Sequence, residues 1–597
     1  MCGIHAVISK TGFQVPSEDL KHLLCNRGPD HIGDHRSRTE VHDGISYWIT
    51  LMSTVLALRG GQVTPQPFVD ASSGSALCWN GEAWKIGQDP VEGNDGQAVF
   101  TLLIQATSSK KLPSETTIAI LEVLRSISGP FAFVFLDKRH GQLYFGRDRL
   151  GRRSLVSKYD FDLGTFELCS ISGEKGFWLE VEADGVYQLS YDSSTWQNES
   201  QHPPEDRVKT IAVTYKHPWA TADSDNSGLP LGLFNTTVPT EHFVLDRQTD
   251  SVGYLRHLLS ESLKLRVQNV PLPPNHDINL HVRVAVLFSG GLDCTVLARM
   301  AHDLLPVDQQ IDLINVAFEN PRVVQAAKKA TKPRKGSSKD SKVDVELAEA
   351  TLSEKLVSDA SPFEICPDRC TGRKAFQELQ VVCPARSWRF VAVDVPYSET
   401  IAHKSKVISL ISPHNTEMDL SIAYALYFAA RGVGTATSSL NATPVPYATP
   451  ARVLLSGLGA DELFGGYTRH ATAFNRRGFT GLLEELKLDV DRLGKRNLGR
   501  DDRVISHWGR EARFPYLDEN LVKWAVECPI WQKCDFHQDT SAKKQDPDIE
   551  PGKKVLRLLA YDLGLHSVAV EKKRAIQFGA RTAKMELGST KGTTLIS

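Results

Sequence analysis

Cys2 stands directly behind the initiator methionine, and the chemistry open to this sequence begins there. Methionine is normally removed before a small residue, which would leave a thiol and a free α-amine on the same cysteine. An α-amine with a pKa near ~8 can take the thiol proton close to neutral pH, so nucleophile and base would share one framework. Two further clusters lie far downstream. Ser289-Gly290-Gly291-Leu292-Asp293 follows an apolar run; its two glycines let backbone N–H groups approach a phosphate, and a helix start beyond them adds a favourable dipole. The loop lacks the Gly-Lys-Ser/Thr ending of the Walker pattern. Ser456-Gly457-Leu458-Gly459-Ala460-Asp461-Glu462 is a second glycine-rich turn, again behind an apolar run, and it carries two carboxylates.

Each cluster needs a scaffold, and the pattern of residues supplies one. Up to about Trp219 the chain reads as short strands between turns, with Gly3 to Ser9, Ser75 to Trp79, Phe131 to Leu136 and Leu143 to Phe145 as apolar or β-branched runs. From about Lys216 to Asp250 there is no clear periodicity, and Pro218, Pro230 and Pro239 mark a linker. Domains are therefore expected at 1–217 and 251–597, with 218–250 between them. The second domain starts with a helical pattern from Ser251 to about Val267. A buried-strand run from Val282 to Phe288, the glycine loop, a helical pattern from Thr295 to Leu305 and a strand run from Ile311 to Phe318 then make a βαβ unit, hence a parallel sheet. Val453 to Leu455 is a third strand feeding a glycine turn. Ligands of such sheets sit at the carboxyl ends of the strands, which is where both glycine loops fall.

Composition narrows the class. At 597 residues the chain exceeds what one core supports, roughly 250 to 300 residues. An apolar content of 41% and a charged content of 23% are those of an ordinary globular protein. Lys and Arg number 69 against 71 Asp and Glu, so no global field gathers nucleic acid or an anionic membrane, and small-molecule substrates fit better. The start lacks the basic and long apolar regions of a secretory signal, and no run reaches the ~18 apolar residues of a membrane span, so a cytoplasmic location is expected. Ten cysteines without framework spacing suit free thiols. Cys366, Cys370 and Cys383 have poor spacing for a structural zinc. Lys328 to Lys342, basic and poor in apolar residues, reads as a surface insertion.

Met1-Cys-Gly-Ile4, Arg27-Gly-Pro-Asp30, Arg59, Asn80-Gly81-Glu82 and Asn94-Asp95 occur in an order that resembles the class II glutamine amidotransferases, N-terminal-nucleophile enzymes with an αββα sandwich. Ser289 to Asp293 matches the SGGxD loop of ATP-pyrophosphatases. Ser456 to Tyr467 and Glu511 to Asp518 resemble the SGEGADExFGGY and EARxPFLD segments of asparagine synthetases. Segments such as NLGRDDRVISHWGREARFPYLDE and KRAIQFGAR resemble a eukaryotic branch, the asparagine synthetase domain-containing proteins. The fold implied is an α+β αββα sandwich followed by an α/β parallel-sheet ATP-pyrophosphatase domain.

The resemblance also implies roles. Cys2 would attack glutamine, with the Asn80 side chain and the Gly81 N–H stabilising the oxyanion. Arg59 would face the glutamine carboxylate as a two-pronged donor, and Glu82 and Asp95 its ammonium. Leu287, Ser289, Gly290, Gly291, Asp293, Ser456, Gly457 and Lys573 would bind ATP, and Asp293 and Asp461 would hold Mg²⁺. The substrates implied are glutamine, ATP and aspartate.

The sequence departs from the family at four places. Leu458 replaces the acidic residue of SGEGADE, and a hydrocarbon cannot accept a proton from ammonia, which bears on amidation by ~10²- to 10⁴-fold. Ala575 stands where a lysine is expected, leaving Lys573 or Arg574 to stabilise pyrophosphate, and Cys294 stands where the loop usually has Ser. The loop from Arg59 to Gln66-Pro67 is several residues shorter than in typical asparagine synthetases.

Overall fold

The computed structural model describes residues 2–40, 46–108, 112–160, 162–173, 176–190, 213–219, 231–241, 243–272, 281–324, 361–439, 441–536, 549–585 and 592–596. Met1, much of the linker and the basic stretch 328–342 lie outside them.

Period-two alternation builds the first half. In Phe131–Asp137, Ala132, Val134 and Leu136 point to one face while Phe131, Phe133 and Phe135 point to the other. The small face meets Ile4, Ala6 and Ile8 of Gly3–Ser9 between two sheets; the aromatic face packs under helices Asp95–Ser108 and Pro113–Ser126. A third layer contact comes from helix Glu18–Arg27, whose Leu20 and Leu24 cover Met52 and Cys169 on the far side of the first sheet. Among the described residues each sheet has six strands. Gly3–Ser9 sits between Thr165–Cys169 and Ser46–Val55, and Phe131–Asp137 between Gln142–Arg147 and Ala76–Gly81, all antiparallel. The order of layers is helix, sheet, sheet, helices: the αββα sandwich. Central strands are buried on both faces, which is why Gly3–Ser9 is mostly apolar and its buried His5 is paired with Glu167.

The second half is built on a sheet of seven described strands, in the order Val445–Ala448, Val433–Thr437, Trp388–Val395, Ile311–Phe318, Val284–Leu287, Val453–Leu455, Glu511–Arg513. From Trp388–Val395 to Glu511–Arg513 the pairing is parallel. Helices Asp250–Val267, Leu292–Leu304, Pro367–Val382 and Glu417–Arg431 contribute to one continuous core with it. The helix behind the first glycine loop starts at Leu292, earlier than the apolar repeat from Thr295 suggests, so Asp293 lies in its first turn. No helix among the described residues is long and apolar enough to cross a membrane.

The two halves meet through buried charge. Helix Leu498–Ser506 and strand Glu511–Arg513 belong to the second half and face the sandwich. Arg27 donates to Asp502 at 2.8 Å, Arg153 meets Glu511 at 3.0 Å, and Arg152 pairs with Glu519 at 2.5 Å. Removing one partner of such a buried pair would cost about 3–5 kcal/mol, because a charge is then left without compensation.

Candidate functional site

The alternation that packs the second sheet also aims Asn80. Ala76 and Cys78 face the first sheet, Leu77 and Trp79 the helices, so Asn80 falls on the first-sheet side, against Cys2. The Cys2 N–H donates to Asn80 Oδ1 at 2.9 Å. That bond orients the carboxamide, and Asn80 Nδ2, fully buried, has no acceptor among the described residues. Burial raises the Cys2 thiol above its usual range, and the positive N-terminus and the Leu56 N–H work against that rise. Arg27 Nε donates to the Cys2 carbonyl at 3.3 Å, tying the residue to Asp502 behind it.

A cavity opens beside Cys2, lined by Arg59, Gln66, Gly81, Glu82 and Asp95. Asp95 opens a helix, and its Oδ2 accepts from the Trp79 indole at 2.9 Å and the Ala83 N–H at 2.8 Å. Burial nevertheless raises its carboxyl, with Arg59 pulling the other way. Glu82 is pushed up to about 8, because burial outweighs Arg513 beside it. Arg59 spends part of its fork on the protein itself: Nη2 donates to Val91 O at 2.5 Å, while Nη1 lies 3.6 Å from Glu82 Oε2. The structure thus brings Cys2, Arg59, Gly81, Glu82 and Asp95 around one cavity, with Asn80 held against the Cys2 nitrogen.

The second cluster forms where parallel strands end. Gly290 has φ +80°, and a Cβ there would lie 2.5 Å from the Gly372 backbone, so only glycine allows this turn. A Cβ on Gly457 would lie 2.8 Å from Asp293 Cβ, and one on Gly466 would lie 2.0 Å from Asp461 Oδ1. Glycine thereby lets the two loops close on each other and brings the carboxylates of Asp293 and Asp461 to one ammonium. That ammonium is Lys553 Nζ, 2.8 Å from Asp293 Oδ1 and 2.9 Å from Asp461 Oδ1. Lys573 Nζ meets Asp461 Oδ2 on the other side. Burial works to raise the Asp461 carboxyl, but Lys553 and Lys573 together hold it far below its usual range. Lys553 has φ 56°, a conformation rare outside glycine, and its two ion pairs fix it there.

This site fits a nucleotide and a divalent cation. Asp293 and Asp461 are the hard oxygen donors that Mg²⁺ takes, and the loop N–H groups and lysines suit phosphate. Of the remaining residues, Ser456 Oγ accepts from the Leu458 N–H at 3.4 Å, and Leu287 is half-buried at the end of its strand. Cys294 Sγ donates to Gly291 O at 3.3 Å, so the thiol can close the loop as a hydroxyl would. Leu458 packs against the apolar core. Arg574 lies 4.0 Å from Asp368, and its Nη1 donates to Thr371 Oγ1 at 3.3 Å.

Comparison with known proteins bears on the whole chain. Residues 444–483 and 476–591 match the asparagine synthase family model. The chain is 34% identical to asparagine synthetase domain-containing protein 1 of Bos taurus, over 99% of this chain and 97% of that one. The chain belongs to the asparagine synthetase domain-containing protein family. The Homo sapiens member is 32% identical over 98% of this chain and 96% of its own length. A shorter match, 37% identity over 22% of this chain and 28% of the relative, is to a Methanocaldococcus jannaschii protein whose name is that of a glutamine-hydrolysing asparagine synthetase.

Within this family member, three residues that sequence reasoning gave no role stand at the sites. Lys553 lies in Pro551-Gly-Lys-Lys554, where nothing local distinguishes it from a surface lysine. Arg513 was legible only as part of a motif. Its Nη2 donates to Glu82 Oε1 at 3.0 Å, while its carbonyl accepts from the Ser456 N–H at 2.9 Å, so it touches both clusters. Gln66 approaches the Cys2 sulfur. Its place before Pro67 gave no hint of that, because the two residues are 64 positions apart in sequence and both lie outside the strands.

Proposed function

We propose that this chain is a glutamine-dependent ligase: Cys2 hydrolyses glutamine to ammonia and glutamate, and the second domain uses ATP to activate a carboxylate, by family analogy the β-carboxylate of aspartate, for amidation by that ammonia. The observation that carries the first half is the Asn80 carboxamide, with its oxygen fixed by the Cys2 nitrogen and its Nδ2 buried without a partner among the described residues.

On removal of Met1 the same Cys2 nitrogen becomes an α-amine and receives the thiol proton. Sulfur attacks the glutamine amide carbon, a C–S bond forms, and negative charge gathers on the oxygen. Asn80 Nδ2 and the Gly81 N–H stabilise it, a contribution typically worth about 10²–10³-fold per donor. The C–N bond then breaks, the α-ammonium returns its proton to the departing nitrogen, and water hydrolyses the thioester. Glu82 and Asp95 receive the glutamine ammonium; the Arg59 prong not committed to Val91 receives its carboxylate. In the second domain, ATP with Mg²⁺ supplies a good leaving group on the carboxylate. Asp293 and Asp461 hold the cation, while Ser289 to Gly291, Ser456, Gly457, Lys553 and Lys573 bind phosphate and nucleotide. Ammonia must cross between the sites without meeting bulk water, where it would become ammonium. Glutamine and [α-³²P]ATP given with aspartate should yield glutamate, AMP and asparagine together. A protein that releases no glutamate from glutamine under any of these conditions is not this enzyme.

Leu458 favours a second reading, a protein that binds glutamine and ATP without ligating. No carboxylate occupies that position, and the leucine is packed on the core. With ATP, Mg²⁺, aspartate and free ammonia, pyrophosphate release marks the ligase. Tight ATP binding without release marks the sensor.

A further inference from the structure

We propose that Gln66 is a further catalytic residue of the glutamine site: its carboxamide donates from Nε2 to the Cys2 sulfur and holds the thiolate for attack. The proposal deepens the glutaminase reading and rests on it for the identity of the nucleophile.

The two ends of a carboxamide are told apart by their partners. Gln66 Oε1 lies 2.9 Å from the Trp79 backbone nitrogen, which can only donate, so this end is the oxygen. The other end, Nε2, is then obliged to face Cys2 Sγ, 3.6 Å away. Nothing in this arrangement is loose. Gln66 is buried, Trp79 lies within the ladder to Phe131–Asp137, and a Cβ on Gly33 would lie 2.4 Å from the Gln66 carbonyl, so its backbone is clamped as well.

The sulfur needs such a donor. Burial raises the thiol, and the charged or titratable groups that face it from the neighbouring elements are Asp95, Glu511, Cys78, Arg27, Glu82 and Arg59, together with the N-terminus. Asp95 and Glu511 raise the thiol further. The groups drawn to the sulfur itself are the Leu56 N–H and Gln66 Nε2. A donor to the ionised form lowers the proton affinity of a thiol. A contact of 3.6 Å to neutral sulfur tightens as charge develops, as catalytic hydrogen bonds do between the resting enzyme and its reacting complex. The α-amine takes the proton and Gln66 steadies what remains.

The test follows the pH dependence of iodoacetamide alkylation at Cys2 in the full chain, read by mass on the Cys2 peptide, which needs no turnover. Gln66→Leu removes the donor, and the alkylation midpoint is expected to rise by about one pH unit. Glutamine kcat should fall about tenfold with KM little changed, a split that a loosened pocket would not give. Gln66→Glu keeps an oxygen for the Trp79 N–H and sets a carboxylate against the sulfur, so its midpoint should rise by about two units. An unchanged midpoint in folded Gln66→Leu overturns the proposal, whatever Gln66→Glu does. If Gln66→Leu does not fold, Gln66→Glu decides: a rise supports the proposal and no rise overturns it. Should wild-type protein fail to hydrolyse glutamine while both midpoints move as stated, the functional reading falls and the contact to sulfur stands.

Discussion

Glu82 and Asp95 in the cavity beside Cys2 and Asp461 in the cluster between the two glycine loops are all buried, yet they hold charge in different ways. In the pocket, burial raises both carboxyls, Glu82 to about 8, even with Arg513 and Arg59 near by. In the second cluster burial acts in the same direction on Asp461, but Lys553 and Lys573 sit directly on its oxygens and reverse the outcome. A buried carboxylate must be compensated by something. On the proposed function, the pocket would leave part of that compensation to a ligand that brings its own ammonium, as an amino acid does. The second cluster carries resident cations, Lys553 and Lys573, as would suit the polyanionic ligand proposed for it.

The comparison can be sharpened by separating the two sites. Cys2→Ala should lower glutamine-dependent amidation by at least about 10³-fold while leaving amidation from free ammonia intact, measured as asparagine formed from each nitrogen source. Equal loss with both sources would mean that the sites are not independent. Asn80→Ala should lower glutaminase kcat by about 10²–10³-fold with a smaller change in KM.

Lys553→Met makes the second cluster resemble the pocket, with Asp293 and Asp461 facing each other across no cation. Chemical denaturation should show a loss of about 3 kcal/mol, partly restored by millimolar Mg²⁺. No loss in the variant would mean that the lysine is not what compensates these carboxylates.

The smallest effect expected is a slope. Folding raises the Glu82 carboxyl from the ordinary glutamate value of about 4.5 to about 8, so the folded state binds the proton more tightly. The stability contributed is present below about pH 4.5 and is lost as pH rises through about 8, at up to about 1.4 kcal/mol per pH unit. Glu82→Gln should flatten that part of a stability profile measured between pH 5 and pH 8, and saturating glutamine should flatten it in the wild type. A profile unchanged by Glu82→Gln would remove Glu82 as its source.

Much of this was readable in order along the chain. Phe131 to Leu136 announced a strand as an apolar run between turns, and the order of strand, glycine loop and helix around Ser289 was legible in the same way, because turns and ladders are decided within a few residues. Boundaries shifted where packing set them: Val282 to Phe288 read as one strand, but only Val284–Leu287 is in the ladder. Arg513 and Lys553 were opaque for a different reason. Their partners lie 431 and 260 residues away in sequence, and a lone Arg or Lys is most often a solvated surface charge.

The sequence by itself determined the two kinds of chemistry, since a thiol behind a removable methionine and glycines before a helix act through local covalent structure and backbone freedom. It also determined where the apolar runs that become the central strands lie. Only the tertiary structure decided which charges meet: that Gln66 points its amide hydrogen at sulfur, that Arg513 spans the glutamine pocket and the Ser456 loop, and that Lys553 lies between two aspartates. Electrostatic energy depends on distance and burial in space, and neither is written in the order of residues.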